Sequence, residues 1–137
     1  KAFDQIKETG KAKLFKTDST EYGDGDQRRD FVYIKDAVDM TLHFWQNKIY
    51  SGIYNVGTGD ASTFNSLIKP VFKAMNLKDN IEYFDMPEIL RGKYQDFTQA
   101  DMNKLKNTGY SKEITKVEDA VMDYVGNYMN TDNPHLR

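Results

Sequence analysis

Four short strand-like runs limit what this chain can fold into. Lys11-Ala12-Lys13-Leu14-Phe15, Phe31-Val32-Tyr33-Ile34, Gly52-Ile53-Tyr54-Asn55-Val56 and Ile81-Glu82-Tyr83-Phe84 carry the β-branched and aromatic residues that favour a pleated surface. Helical stripes lie around and between them. Lys1 to Glu8 reads as the end of an amphipathic helix closed by Gly10. Asp36 suits an N-cap ahead of Ala37, Met40, Thr41, Phe44 and Trp45 at helical spacing. Ser62 or Thr63 can cap a stripe of Phe64, Leu67, Ile68, Val71, Phe72 and Met75, which Pro70 should kink. Asp101 can cap a short helix through Asn107. Thr115-Lys116-Val117-Glu118 reads as a capping box before a last helix with Val117, Ala120, Val121, Tyr124 and Val125 on one side. Strands alternating with helices make an α/β pattern. Strands this short have exposed edges on their own, so they are expected to extend a sheet from elsewhere.

At 137 residues the chain suffices for one domain and not for two full ones. Apolar residues make up 39%, and counting the 9 Gly in place of the 9 Tyr leaves that share unchanged. This is below the ~45–50% of an ordinary soluble domain, so the core is expected to be thin. A net charge of -2 argues against a general nucleic-acid or anionic-membrane partner. No apolar run approaches the ~20 residues of a membrane span. Cysteine is absent, which excludes disulfides and thiol catalysis, and two scattered histidines, His43 and His135, argue against a His-rich metal site. The opening helix shows no initiator Met, cap or targeting signal ahead of it, and the chain is expected to be a piece of something longer.

Composition supplies no nucleophile–base pair. Gly57-Thr58-Gly59 follows a strand-like run as a phosphate-cradling turn would, but a tight strand-to-helix turn explains it better. Arg28-Arg29-Asp30 follows a long loop over residues 16–26. Two guanidiniums there can clamp a diphosphate, or one Arg can simply pair with Asp30 or Asp36. Because neighbouring strand residues face opposite ways, at most one of the two should meet a given ligand. Residues 90–101 gather Arg91, Lys93, Tyr94, Phe97, Gln95 and Gln99 in one expected loop, a mixture that suits an anionic ligand with a flat ring or sugar and also an ordinary packed loop. His43, beside Phe44 and Trp45, reads as structural.

These residues carry a resemblance. Arg28-Arg29-Asp30-Phe31-Val32-Tyr33-Ile34-Lys35-Asp36-Ala37 resembles the RDFVYV-x-D segment of extended short-chain dehydrogenase/reductases that act on nucleotide sugars, and Gly52 to Gly59 resembles their G-x-[FY]-N-[LV]-G-[TS]-G segment. Gly92-Lys93-Tyr94-Gln95-Asp96-Phe97-Thr98-Gln99-Ala100-Asp101 is similar to the GRYQ-x-FTQAD run of the ADP-L-glycero-D-manno-heptose 6-epimerase family. The resemblance implies an α/β fold in which residues 1–137 are the C-terminal substrate-binding domain, lacking most of the Rossmann domain. It implies an ADP-heptose substrate for lipopolysaccharide core synthesis, oxidised and re-reduced at C6 by NADP in a cytoplasmic homo-oligomer. NADP and the catalytic residues are expected in a domain upstream of residue 1. Carried over by position, the resemblance implies substrate contacts for Arg29, Tyr94 and Phe15, followed by Lys16, Thr17 and Asp18, where the family pattern is Glu-Gly-Ser.

Overall fold

The computed structural model of the chain describes residues 1–48 and 51–131, so His135 lies outside the described residues. In chain order the elements are α1 (Ala2–Thr9), β1 (Ala12–Phe15), β2 (Arg28–Arg29), α2 (Ile34–Asn47), β3 (Ser62–Thr63), α3 (Phe64–Ala74), β4 (Ile81–Phe84), a 3₁₀ turn (Glu88–Leu90), α4 (Asn103–Lys106) and α5 (Val117–Tyr124), which runs on as a π-helical turn (Val125–Met129). The α/β alternation of short strands and helices is the architecture the sequence predicts. β1 and β4 pair in parallel, with Ala12 opposite Ile81 and Phe15 opposite Phe84. β2 and β3 pair antiparallel, with Arg28 opposite Thr63 and Arg29 opposite Ser62.

Local chemistry explains most of these boundaries. Gly10 ends α1 with a φ of 70°, the left-handed conformation that costs glycine nothing. The Thr63 hydroxyl accepts from the Ser66 N–H at 2.9 Å and caps α3. Pro70 lies inside α3, which is helical on both sides of it. The main core forms where α1, β1 and α3 meet the end of α5, around Phe3, Ile6, Ala12, Ile68, Val71, Phe72 and Val125. Phe72 and Ile6 are the largest side chains fully enclosed there, each contributing ~1.5–3 kcal/mol by burial. A second cluster joins Met40 of α2 to Met102, Leu105 and Tyr110.

Five expectations need correction. Phe31 to Ile34 is not a strand: Phe31 to Tyr33 is irregular, and Tyr33 is already the N-cap of α2. Gly52 to Val56 forms no strand either; Ile53 stays 89% exposed, and a β-prone run without a neighbouring strand has nowhere to place its backbone bonds. Asp36 sits inside the first turn of α2 and accepts from the Thr115 N–H at 2.8 Å and its hydroxyl at 3.0 Å, so it ties two segments together instead of capping. That engagement also removes the Thr115 capping box: Lys116 occupies the N-cap of α5 without a side-chain bond, and Glu118 pairs with Lys73 at 2.8 Å. At α4 the N-cap is Met102, while Asp101 still accepts from the Asn103 N–H at 2.9 Å.

Candidate functional site

The parallel pair puts Phe15 and Phe84 side by side at its C-terminal end, with ring centroids 4.9 Å apart. β2 runs nearby and recruits the segment after the 3₁₀ turn: the Arg28 N–H donates to the Asp96 carbonyl at 2.7 Å, and the Thr98 N–H donates to the Arg28 carbonyl at 3.2 Å. The Tyr94 N–H returns to the Leu90 carbonyl at 3.0 Å, which sets where the Tyr94 ring can go. That ring meets Phe15 edge-on at 6.2 Å. The Arg29 guanidinium lies 5.0 Å from the Tyr94 centroid and 5.8 Å from that of Phe64. Such stacking is worth ~0.5–2 kcal/mol and holds a charged fork in one orientation. Phe15, Phe64, Phe84, Tyr94, Gln27 and Lys13 contribute to the walls of a hollow of about 230 Å³.

Three residues picked from separate parts of the sequence, Phe15, Arg29 and Tyr94, are thus neighbours. Lys16, Thr17 and Asp18 do not line the hollow. The Lys16 N–H donates to the Phe84 carbonyl at 2.8 Å and its ammonium pairs with Asp85 at 3.1 Å. The Thr17 N–H donates to Asp24 at 3.0 Å, and Asp18 faces Arg91 at 3.7 Å. The loop they open is fastened by Asn65 of α3, whose amide donates to the Asp24 carbonyl and to the Asp26 carboxylate, both at 3.0 Å. His43 bonds the Thr108 hydroxyl at 2.9 Å and packs edge-on to Tyr110, in keeping with a structural role.

The Arg29 guanidinium donates to the Arg28 carbonyl at 2.7 Å, and the next residue, Asp30, is tied to two other segments. Its carboxylate accepts from the Thr58 N–H at 2.6 Å, the Thr58 hydroxyl at 2.7 Å, the Gly59 N–H at 2.9 Å and the Ala100 N–H at 3.0 Å. Burial opposes its ionisation, but these bonds prevail and keep its carboxyl below the usual range. Two of the N–H groups that a Gly57-Thr58-Gly59 anion cradle would offer, those of Thr58 and Gly59, are therefore given to Asp30. Any Cβ at Gly57 would lie 2.6 Å from that of Ala100, so the close approach requires glycine. Asp30 and Asp36 both bind backbone and hydroxyl donors, which leaves the simple Arg–Asp pairing unsupported.

Gln27, Phe64 and Phe84 were not singled out for the site from the sequence. Phe64 and Phe84 read as core and strand residues, but Gln27 had a signal: it stands two residues before Arg29, the spacing that shares a face in extended backbone.

The fold and this site define a class. A family model described as the NAD dependent epimerase/dehydratase family matches residues 2–57. Among solved structures, the ADP-L-glycero-D-manno-heptose-6-epimerase of Helicobacter pylori superposes with a TM-score of 0.72 at 22% identity, covering 92% of this chain and 35% of that one. The dTDP-glucose 4,6-dehydratase of Bacillus anthracis, solved with NAD, gives 0.70 at 17%, covering 96% and 38%. The chain has the fold of part of an extended short-chain dehydrogenase/reductase. Sequence narrows this further. The ADP-L-glycero-D-manno-heptose-6-epimerase of Nitratidesulfovibrio vulgaris (strain Hildenborough) is 47% identical over 136 residues, 99% of this chain and 42% of that protein. The protein of the same name from Fusobacterium nucleatum is 43% identical over 140 residues, 98% of this chain and 42% of that one. The chain spans about two fifths of the length of these curated relatives, and over that stretch it is a homologue of the ADP-L-glycero-D-manno-heptose-6-epimerases.

Proposed function

We propose that residues 1–137 are the substrate-binding part of an NADP-dependent ADP-L-glycero-D-manno-heptose 6-epimerase that serves lipopolysaccharide core synthesis in the cytoplasm and works as a homo-oligomer. The observation that carries this reading is the stacking of Arg29 on Tyr94, whose ring meets Phe15 in the wall of one hollow, in a chain whose relatives at 43–47% identity bear that name. Arg29, stacked on Tyr94, offers its planar fork to a diphosphate. The aromatic walls accept the rest of the nucleotide. A sugar whose carbonyl must be presented to a hydride donor from two faces needs its anchor elsewhere, and the nucleotide diphosphate is the part that can be gripped throughout. The nicotinamide chemistry itself belongs, in this reading, to residues outside the chain.

Calorimetric titration of the complete natural protein with ADP-, UDP- and dTDP-sugars tests the proposal. The ADP-sugar should bind tightest, and preference for a pyrimidine nucleotide would overturn the assignment. Arg29→Ala should weaken ADP-sugar binding by ~1.5–3 kcal/mol, the range for hydrogen bonds to a charged group. An unchanged affinity would remove Arg29 from the diphosphate.

A further inference from the structure

Gln27 is 2% exposed, yet its Nε2 has no hydrogen-bond partner among the described residues. A buried amide donor left unpaired costs ~1–3 kcal/mol, and native proteins satisfy most of them. The position therefore asks for an acceptor that arrives from outside the chain. Gln27 lines the hollow between Phe15, Phe64, Phe84 and Tyr94. Its backbone is fixed, because its carbonyl accepts from the Phe64 N–H at 3.2 Å and the next N–H is bonded to Asp96.

The hollow itself says what kind of group comes. About 230 Å³ is less than the ~300–1,000 Å³ of pockets that take a whole drug-sized ligand, so it takes one ring system of a larger molecule. Phenylalanine and tyrosine walls suit a flat π surface. A polyhydroxylated sugar would give up its hydration there for very few partners.

We propose that Gln27 is a specificity-determining residue whose Nε2–H, enclosed as the side chain stands, turns toward this hollow to donate to a ring acceptor of the substrate's heterocyclic base, seated there beside Arg29. The inference rests on the nucleotide-sugar reading above and adds to it the group that reads the base.

The test uses the complete natural protein and two probes, ADP and ribose 5-diphosphate, which lacks a base. Gln27→Met keeps the side-chain length and removes the donor. ADP should bind about 3- to 10-fold more weakly to the variant, as for one lost hydrogen bond, while ribose 5-diphosphate binds as before. The ligand-free variant should melt no lower than the wild type, since the unpaired amide is gone. Equal weakening of both probes, or unchanged ADP affinity, overturns the inference. Wild-type affinities for ADP analogues with N1, N3 or N7 of the purine replaced by carbon decide independently of whether the variant folds. One of the three should lose about 3- to 10-fold, and equal affinity for all of them overturns the role of Gln27. A wild-type protein that binds neither probe overturns the nucleotide-sugar reading, and this inference falls with it.

Discussion

Tyr94 shows how much of a site one residue can carry through its ring alone. It touches Phe15 with an edge and Arg29 with a face, so the ring orients the guanidinium whether or not the phenol bonds anything. Tyr94→Phe should therefore change ADP-sugar affinity by less than about 1 kcal/mol. Tyr94→Leu, which leaves Arg29 without an aromatic face, should cost ~1–2 kcal/mol; binding isotherms of the two variants separate these outcomes. Arg29 and Tyr94 were legible in the sequence because each sits in a motif. Lys16, Thr17 and Asp18 were legible only as neighbours of Phe15. Their local bonds to Asp85, Asp24 and the region of Arg91 come from the particular path of the long loop, which no spacing rule encodes.

Among the elements, the helices could be read and the outer strands could not. An amphipathic stripe such as that of α3 carries its own period and its own cap at Thr63. A strand exists only through a partner, and the sequence of Phe31 to Ile34 or Gly52 to Val56 cannot say whether one lies alongside. The same blindness hid Asp30, whose acceptors reach from β2 to two distant segments. Asp30→Ala would strand the Thr58, Gly59 and Ala100 donors in a half-buried place and should destabilise the protein by ~1–3 kcal/mol. Urea unfolding checks this, and Asp30→Asn, which keeps acceptors for some of these donors, should fall between the variant and the wild type.

For the whole molecule, acid is the condition that should loosen it most. Asp123 of α5 accepts from the Lys35 ammonium at 2.7 Å and from the hydroxyl of Tyr33, joining α5 to the start of α2. Lys35 first, then Tyr33 and Asn127, hold its carboxyl down to about 2 against an ordinary value of 3.8. A depressed carboxylate contributes stability that is complete above the unfolded value and is lost as pH falls through the folded one. The melting temperature should thus drop between about pH 4 and pH 2. Asp123→Asn should flatten that drop, as scanning calorimetry across the range would show; an identical pH profile would exclude the Asp123 contribution.

Phe15 of β1 and Phe84 of β4 stand side by side in the lining of the hollow, with β2, α2, β3 and α3 spelled out between them in the chain. Closing so long an intervening stretch is a slow entropic search, and parallel alignment cannot be reached by a local hairpin. On the ribosome, Phe15 therefore waits uncovered until Phe84 has emerged from the exit tunnel. The hollow does not exist before that moment, so any molecule that binds there, the proposed nucleotide included, cannot template the folding of the segments made earlier.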